Sequence, residues 1–144
     1  DLQINVLGSY QMTHLALPFL RRASEAGVVF FSSVVAIAPA PGFAVYSATK
    51  AAIHSIARSL RTELAGSVRV FDVLPTWVDT PQAGTIDAPK LSPDSVASTI
   101  IAGIEKDRPE ILIGRAGAVA LANRVSPALA ERLVARATRR GRQT

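Results

Sequence analysis

Three short runs of β-branched, aliphatic and aromatic residues punctuate this sequence: VVFF at 28–31, VRVFDVL at 68–74 and EILIG at 110–114. VVFF is continuous rather than alternating, as in strands covered on both faces of a parallel sheet. Segments of helical period lie before, between and after the runs, giving the order helix, strand, helix, strand, helix, strand, helix. Such alternation requires right-handed crossovers and a parallel sheet with helices on both faces. The expected fold class is therefore α/β. Three strands make only half of a doubly wound sheet, so the chain reads as the C-terminal half of one.

The helices have legible ends. Residues 2–22 carry Leu2, Val6, Leu7, Leu15, Leu17 and Leu20, dense enough to predict a buried helix, with Pro18 expected to kink it or end its first part. Residues 34–45, with Pro39, Pro41 and Gly42, read as a loop. Ala48, Ala51, Ala52, Ile56, Leu60 and Leu64 predict a helix over 46–64, stopped at Gly66. A polar loop follows the second strand to about Lys90. Ser92, Pro93 and Asp94 supply an N-cap, a first-position proline and a first-turn acid for a helix reaching about Lys106. Residues 116–140 predict one or two amphipathic helices interrupted at Ser126-Pro127. No repeat or linker suggests a second domain, so residues 1–144 form one partial domain with 115–144 as a basic helical extension. The sequence opens on DLQINVLGSYQMTHLALPFL, with no Met or turn signal, already inside a helix, and so reads as a piece of a longer protein.

Composition narrows the chemistry. Hydrophobic content of 49% with 19% charged residues is that of a globular chain. The absence of cysteine removes disulfides, thiolate nucleophiles and Cys-ligated metals, and suits a cytoplasmic protein. His14 and His54 have no partner at metal-ligand spacing and read as helix-surface or packing residues, so no metal is expected. Asp72, Asp79 and Glu63 make no recognisable carboxylate pair. No apolar run approaches the roughly 18 residues that span a bilayer. The net charge of +5 resides in the tail: residues 1–114 hold nine Lys/Arg against ten Asp/Glu, residues 115–144 seven Arg against Glu131. No aromatic residue follows Trp77, so the tail offers no base-stacking platform and nucleic acid is not an expected partner. Its arginines, with Leu121, Val125, Leu129, Leu133 and Val134, allow a weak peripheral contact with an anionic membrane surface. Otherwise the tail reads as a solvated accessory, and removal of residues 127–144 would leave turnover largely intact.

In a parallel α/β sheet, ligands sit beyond the carboxyl ends of the strands. Ser32 and Ser33 end the first strand, Tyr46 and Lys50 follow its loop, and Pro75 to Thr80 end the second, so these residues converge on one rim. On them the chain resembles the C-terminal half of a short-chain dehydrogenase/reductase, a Rossmann-type fold. Tyr46 and Lys50 reproduce the family's Tyr-x-x-x-Lys; Ser33 stands thirteen residues before the tyrosine, and Asn5 lies in NVLG, 28 residues before Ser33. PTWVDTP at 75–81 resembles the family's segment after the next strand, with Thr76 where glycine is usual. The similarity covers nearly all of residues 1–114. The glycine-rich turn that cradles a dinucleotide pyrophosphate is not in the sequence.

The resemblance implies reversible hydride transfer between NAD or NADP and an alcohol or carbonyl carbon. Tyr46 would be the acid/base, and the i, i+4 spacing puts the Lys50 ammonium on the same helix face, where it favours the phenolate. By resemblance Lys50 also holds the nicotinamide ribose, Ser33 bonds the substrate oxygen, and Asn5 fixes a water in a proton relay. Pro75, Thr76, Val78 and Thr80, with Tyr46 and Lys50, would contact the cofactor. Trp77, with Ser33 and Tyr46, would contact a small, apolar alcohol or ketone. The residue that separates NAD from NADP belongs to the N-terminal half of such a domain. Relatives pair through the helices matching 2–22 and 46–64, which implies a homo-oligomer. The alternative is a non-catalytic truncated relative acting as an association module, for which Asn5, Ser33, Tyr46 and Lys50 would have no use.

Overall fold

The computed structural model describes residues 2–83 and 89–140. Gly27–Phe31 (β1), Arg69–Leu74 (β2) and Glu110–Leu112 (β3) lie side by side in that order. All pairings are parallel, Gly27 opposite Arg69 through Phe31 opposite Val73, and Asp72 opposite Glu110 through Leu74 opposite Leu112. The strands alternate their faces as a pleat requires. Val28, Phe30 and Val70 pack on one side with Ile53, Ala57 and Leu60 from the helix Ala44–Glu63 (α2). Val29, Phe71, Val73 and Ile111 pack on the other with Val96, Ile100 and Ile104 from Pro93–Glu105 (α3). Beside Ile111, α3 comes so close that a Cβ added at Gly103 would lie 2.7 Å from its Cδ1.

Local chemistry sets the ends of these elements. Ala40, Pro41, Gly42 and Phe43 form a turn in which the Phe43 N–H donates to the Ala40 carbonyl at 3.0 Å. Gly42 takes the positive φ of 81° that such a Pro-Gly turn demands. It delivers the chain into α2 two residues earlier than the apolar spacing predicts. Ser92 caps α3 as expected, its side chain accepting from the Ser95 N–H at 3.2 Å.

Two expectations need correction. Leu2–Gly8 is a π-helix that runs into the α-helix Ser9–Leu20 (α1), and Pro18 sits inside its last turn without breaking it. A proline there forfeits one hydrogen bond near an end that is already short of partners. This segment is also not buried. Thr13 is its only buried residue, while Ile4 is 79% and Phe19 72% exposed.

The tail is likewise more than a solvated accessory. Ala116–Val125 (α4) and Pro127–Arg140 (α5) insert Ala116, Val119, Ala122, Ala130 and Val134 into a third cluster with Val34, Val35, Ala38 and Ala40. Phe43 and Tyr46 pack against that cluster. Sequence period showed an amphipathic helix but not what its apolar stripe covers. No helix among the described residues is long and apolar enough to cross a membrane.

Candidate functional site

The carboxyl end of β1 is where the polar side chains gather. Ser33 is buried and extended, and caps a 3-10 turn at Val34–Ala36 by accepting from the Val35 N–H at 3.4 Å. The Pro75 carbonyl accepts from the Val34 N–H at 3.1 Å, which ties the end of β2 to the end of β1. Tyr46, in the first turn of α2, presents its hydroxyl to the Ser33 side chain. Burial pushes the Tyr46 phenol above its ordinary range, and the Ser33 hydrogen bond opposes that. The net direction is opposite to the lowering expected from a neighbouring ammonium. Burial is the larger effect; Lys50 Nζ lies 5.7 Å from the Tyr46 ring centroid and donates to the Phe31 carbonyl at 2.8 Å.

Lys50 itself lines a pocket of about 300 Å³ together with Asn5, Ser9, Thr13, Phe31 and Ile53. Asn5 comes from the π-helix, a geometry that recurs at functional sites. Burial lowers the Lys50 ammonium below its ordinary range, and the Asp72 carboxylate opposes that. The structure thus brings Ser33 to Tyr46 and Asn5 to Lys50.

The residues after β2 form the outer wall. The Trp77 ring leans on Phe43 at 5.9 Å between centroids and 59° between planes. Val78 bridges to Leu91 and packs in the α3-side core. Thr80 Oγ1 accepts from the Ala83 N–H at 3.4 Å and so caps the short helix Pro81–Ala83. Thr76 is half-buried, and its Oγ1 stands 2.6 Å from where a Cβ on Gly114 would be. The missing side chain at Gly114 makes the room that the larger residue at 76 uses.

Two side chains read only as packing or unpaired residues prove to be coupled. His54 Nδ1 meets Asp72 Oδ2 at 2.5 Å, while Ser32 Oγ donates to Asp72 Oδ1 at 2.6 Å. The correction for His54 has a simple cause, since its partner lies 18 residues away on β2. A signal was nevertheless present: Tyr46, Lys50 and His54 are spaced four apart on one helix, as are Asn5, Ser9 and Thr13 on the facing segment. His14 stacks on Tyr10 instead, 6.3 Å between ring centroids.

The short chain dehydrogenase family model matches residues 2–90. The chain belongs to that family. Among curated relatives of this short-chain dehydrogenase, an uncharacterized oxidoreductase of Staphylococcus epidermidis is 35% identical over 104 residues, 69% of this chain and 45% of its own. An 11-beta-hydroxysteroid dehydrogenase-like protein of Arabidopsis thaliana is 37% identical over 79 residues, covering 55% of this chain and 25% of its own. The chain thus spans about half or less of the length of these curated relatives. In fold it is similar to a short-chain dehydrogenase from Burkholderia cenocepacia in complex with NADP, with TM-score 0.85 and 24% identity over 93% of this chain and 57% of that one. Another from Sphingobium yanoikuyae, in complex with NADPH, gives 0.71 and 23% over 90% and 55%. The α/β architecture with its parallel sheet is the one these structures share.

Proposed function

We propose that this chain is the C-terminal, catalytic half of an NAD- or NADP-dependent oxidoreductase acting on an alcohol or carbonyl group. The observation that carries the reading is the engagement of the Tyr46 hydroxyl by Ser33 at the strand rim, with Lys50 one turn along the same helix. The residues fit one end of a nicotinamide dinucleotide. An ammonium carries three donors, and Phe31 takes one, leaving Lys50 able to hold ribose hydroxyls at its pocket. The pyrophosphate end has no glycine-rich cradle within these 144 residues, so a parent's N-terminal half would supply it. When bound, the nicotinamide gives or takes the hydride. Ser33 holds the substrate oxygen where charge changes, and Tyr46 gives a proton to that oxygen or takes one from it. Its raised proton affinity suits the donor role, hence carbonyl reduction, at neutral pH. Asn5 lines the Lys50 pocket and would hold a water there for proton exchange with solvent. Trp77 and Phe43 make an aromatic wall suited to an apolar substrate.

The test is deuterium transfer from a 4-deuterated nicotinamide cofactor to a panel of apolar ketones, using a full-length parent. The label is expected on the carbinol carbon, and Ser33→Ala is expected to slow the transfer by about 10²–10³ without weakening cofactor binding. A folded, cofactor-binding parent that labels none of the panel would overturn the reading.

The same proposal extends to assembly and location. Exposed Leu7, Met12, Leu15 and Phe19 on the first helical segment offer an apolar surface to a second copy. Exposed Leu121, Val125, Leu129 and Leu133 beside Arg124, Arg132 and Arg136 offer one to an anionic bilayer around a cytoplasmic protein. Each basic residue near such a surface contributes about 1 kcal/mol. Changing these three arginines to Gln is expected to weaken binding to phosphatidylserine vesicles by about a hundredfold. Unchanged co-sedimentation would remove the membrane from the account.

A further inference from the structure

The sheet and α2 are joined beside the site by side chains that hydride transfer, as described above, does not use. Asp72 points from β2 toward α2 and is fully buried. Val70 and Leu74, two residues to either side on the same face of the strand, are apolar, so the pattern of the core calls for no charge here. A buried carboxylate is costly unless it is paired and hydrogen-bonded. Both oxygens of Asp72 are engaged: Oδ1 accepts from Ser32 Oγ at 2.6 Å, and Oδ2 meets His54 Nδ1 at 2.5 Å. Because an ionised carboxylate only accepts, the imidazole donates through Nδ1. These contacts close a ring. Lys50 Nζ donates to the Phe31 carbonyl at 2.8 Å, and Phe31 is followed by Ser32. Ser32 reaches Asp72, Asp72 reaches His54, and His54 stands one helical turn from Lys50 on α2.

We propose that Asp72, bridging Ser32 to His54, is a positioning residue that fixes the strand end bearing Ser33 against the helix bearing Tyr46. The proposal rests on the hydride-transfer reading and extends it to residues that touch neither substrate nor cofactor. The strands by themselves leave this distance open. Regular pairing of β1 with β2 stops at Phe31 opposite Val73, two residues short of Ser33. Beyond it the Ser32 N–H donates to the Val73 carbonyl at 3.0 Å and the Val34 N–H to the Pro75 carbonyl at 3.1 Å. Those backbone bonds hold the strand end to β2, but they say nothing of α2. Ser33 Oγ itself reaches the Pro75 carbonyl only at 3.5 Å, so its own side chain is a weak anchor. The bridge supplies the missing coordinate. Ser32, the residue next to Ser33, is tied through one buried carboxylate to the helix whose first turn presents the Tyr46 hydroxyl to Ser33.

The experiment follows single-turnover reduction of an apolar ketone by a full-length parent, with cofactor titration in parallel. Ser32→Ala cuts the bridge without touching the reacting groups. A misplacement of about 1 Å can cost about 10²-fold in rate, so Ser32→Ala is expected to slow hydride transfer about ten- to a hundredfold. Cofactor affinity should hold, because Lys50 keeps its place on α2. A double-mutant cycle with Ser33→Ala decides between positioning and mere stability. When the bridge acts through Ser33, adding Ser32→Ala to Ser33→Ala costs less than about threefold. Losses that multiply instead overturn the proposal, as does Ser32→Ala turning over at the wild-type rate or losing cofactor affinity in step with rate. Should Ser32→Ala fail to fold, His54→Leu takes its place in the same cycle, cutting the bridge at a side chain 17% exposed. Tyr46→Phe, assayed alongside, separates the two readings. If it is inactive while Ser32→Ala is unimpaired, only the role of Asp72 falls; if it stays active, the hydride-transfer site falls and the proposal with it.

Discussion

Tyr46→Phe in a full-length parent is expected to lower hydride transfer by at least about 10²–10⁴, the usual contribution of a general acid–base. Phenylalanine keeps the ring that packs against the Val34–Val134 cluster and removes only the hydroxyl that meets Ser33. Folding and cofactor affinity should therefore hold, and the loss should fall on the chemical step. Single-turnover hydride transfer with a parallel cofactor titration measures both. Retention of more than about a tenth of the wild-type rate, against that expected loss, would remove Tyr46 from the acid–base role. The pH dependence follows from the sign of the Tyr46 displacement. Burial keeps the phenol protonated to higher pH than usual, so carbonyl reduction should stay level through neutrality and fall only in alkali. Alcohol oxidation, which needs the phenolate, should climb over the same alkaline range.

Lys50→Met is expected to fail in two places. It removes the donor to the Phe31 carbonyl and, on the proposed reading, to the ribose, and charge-assisted hydrogen bonds of this kind contribute about 1.5–3 kcal/mol. Cofactor dissociation constants should rise about ten- to a hundredfold. The cation beside the Tyr46 ring is lost as well, so the phenolate is less favoured and oxidation at a given pH slows further. Fluorescence titration and single-turnover rates separate the two effects. Unaltered cofactor binding in a folded Lys50→Met protein would place the ribose elsewhere.

Much of this architecture was legible because its determinants are local. VVFF and VRVFDVL announce parallel strands, Ser92-Pro93-Asp94 announces a helix start, and the structure puts all three where the pattern does. Ser33, Tyr46 and Lys50 could be brought to one rim because strand ends and one helical turn are short-range geometry. What stayed hidden depends on contacts across the fold. The π geometry around Asn5 leaves no mark in composition. The pairing of His54 with Asp72 spans a crossover, and the burial of Ala130 and Val134 against the 34–43 segment joins residues about a hundred positions apart. The Tyr46 displacement was missed for a related reason. Spacing places an ammonium near the phenol, but only packing decides whether burial outweighs it.

Tyr46, Lys50 and His54 mark successive turns along one face of α2. Each residue of an α-helix advances about 100°, so one residue gained or lost between Tyr46 and His54 would swing every later side chain a quarter-turn or more off that face. A change before Lys50 would break the Lys50–Phe31 and His54–Asp72 bonds together and one after it the His54–Asp72 bond alone, though the composition of the helix had barely changed. Loops around the rim can lengthen or shorten and merely reshape the cleft. Within these nine positions change can come only by exchanging one residue for another, never by altering their number.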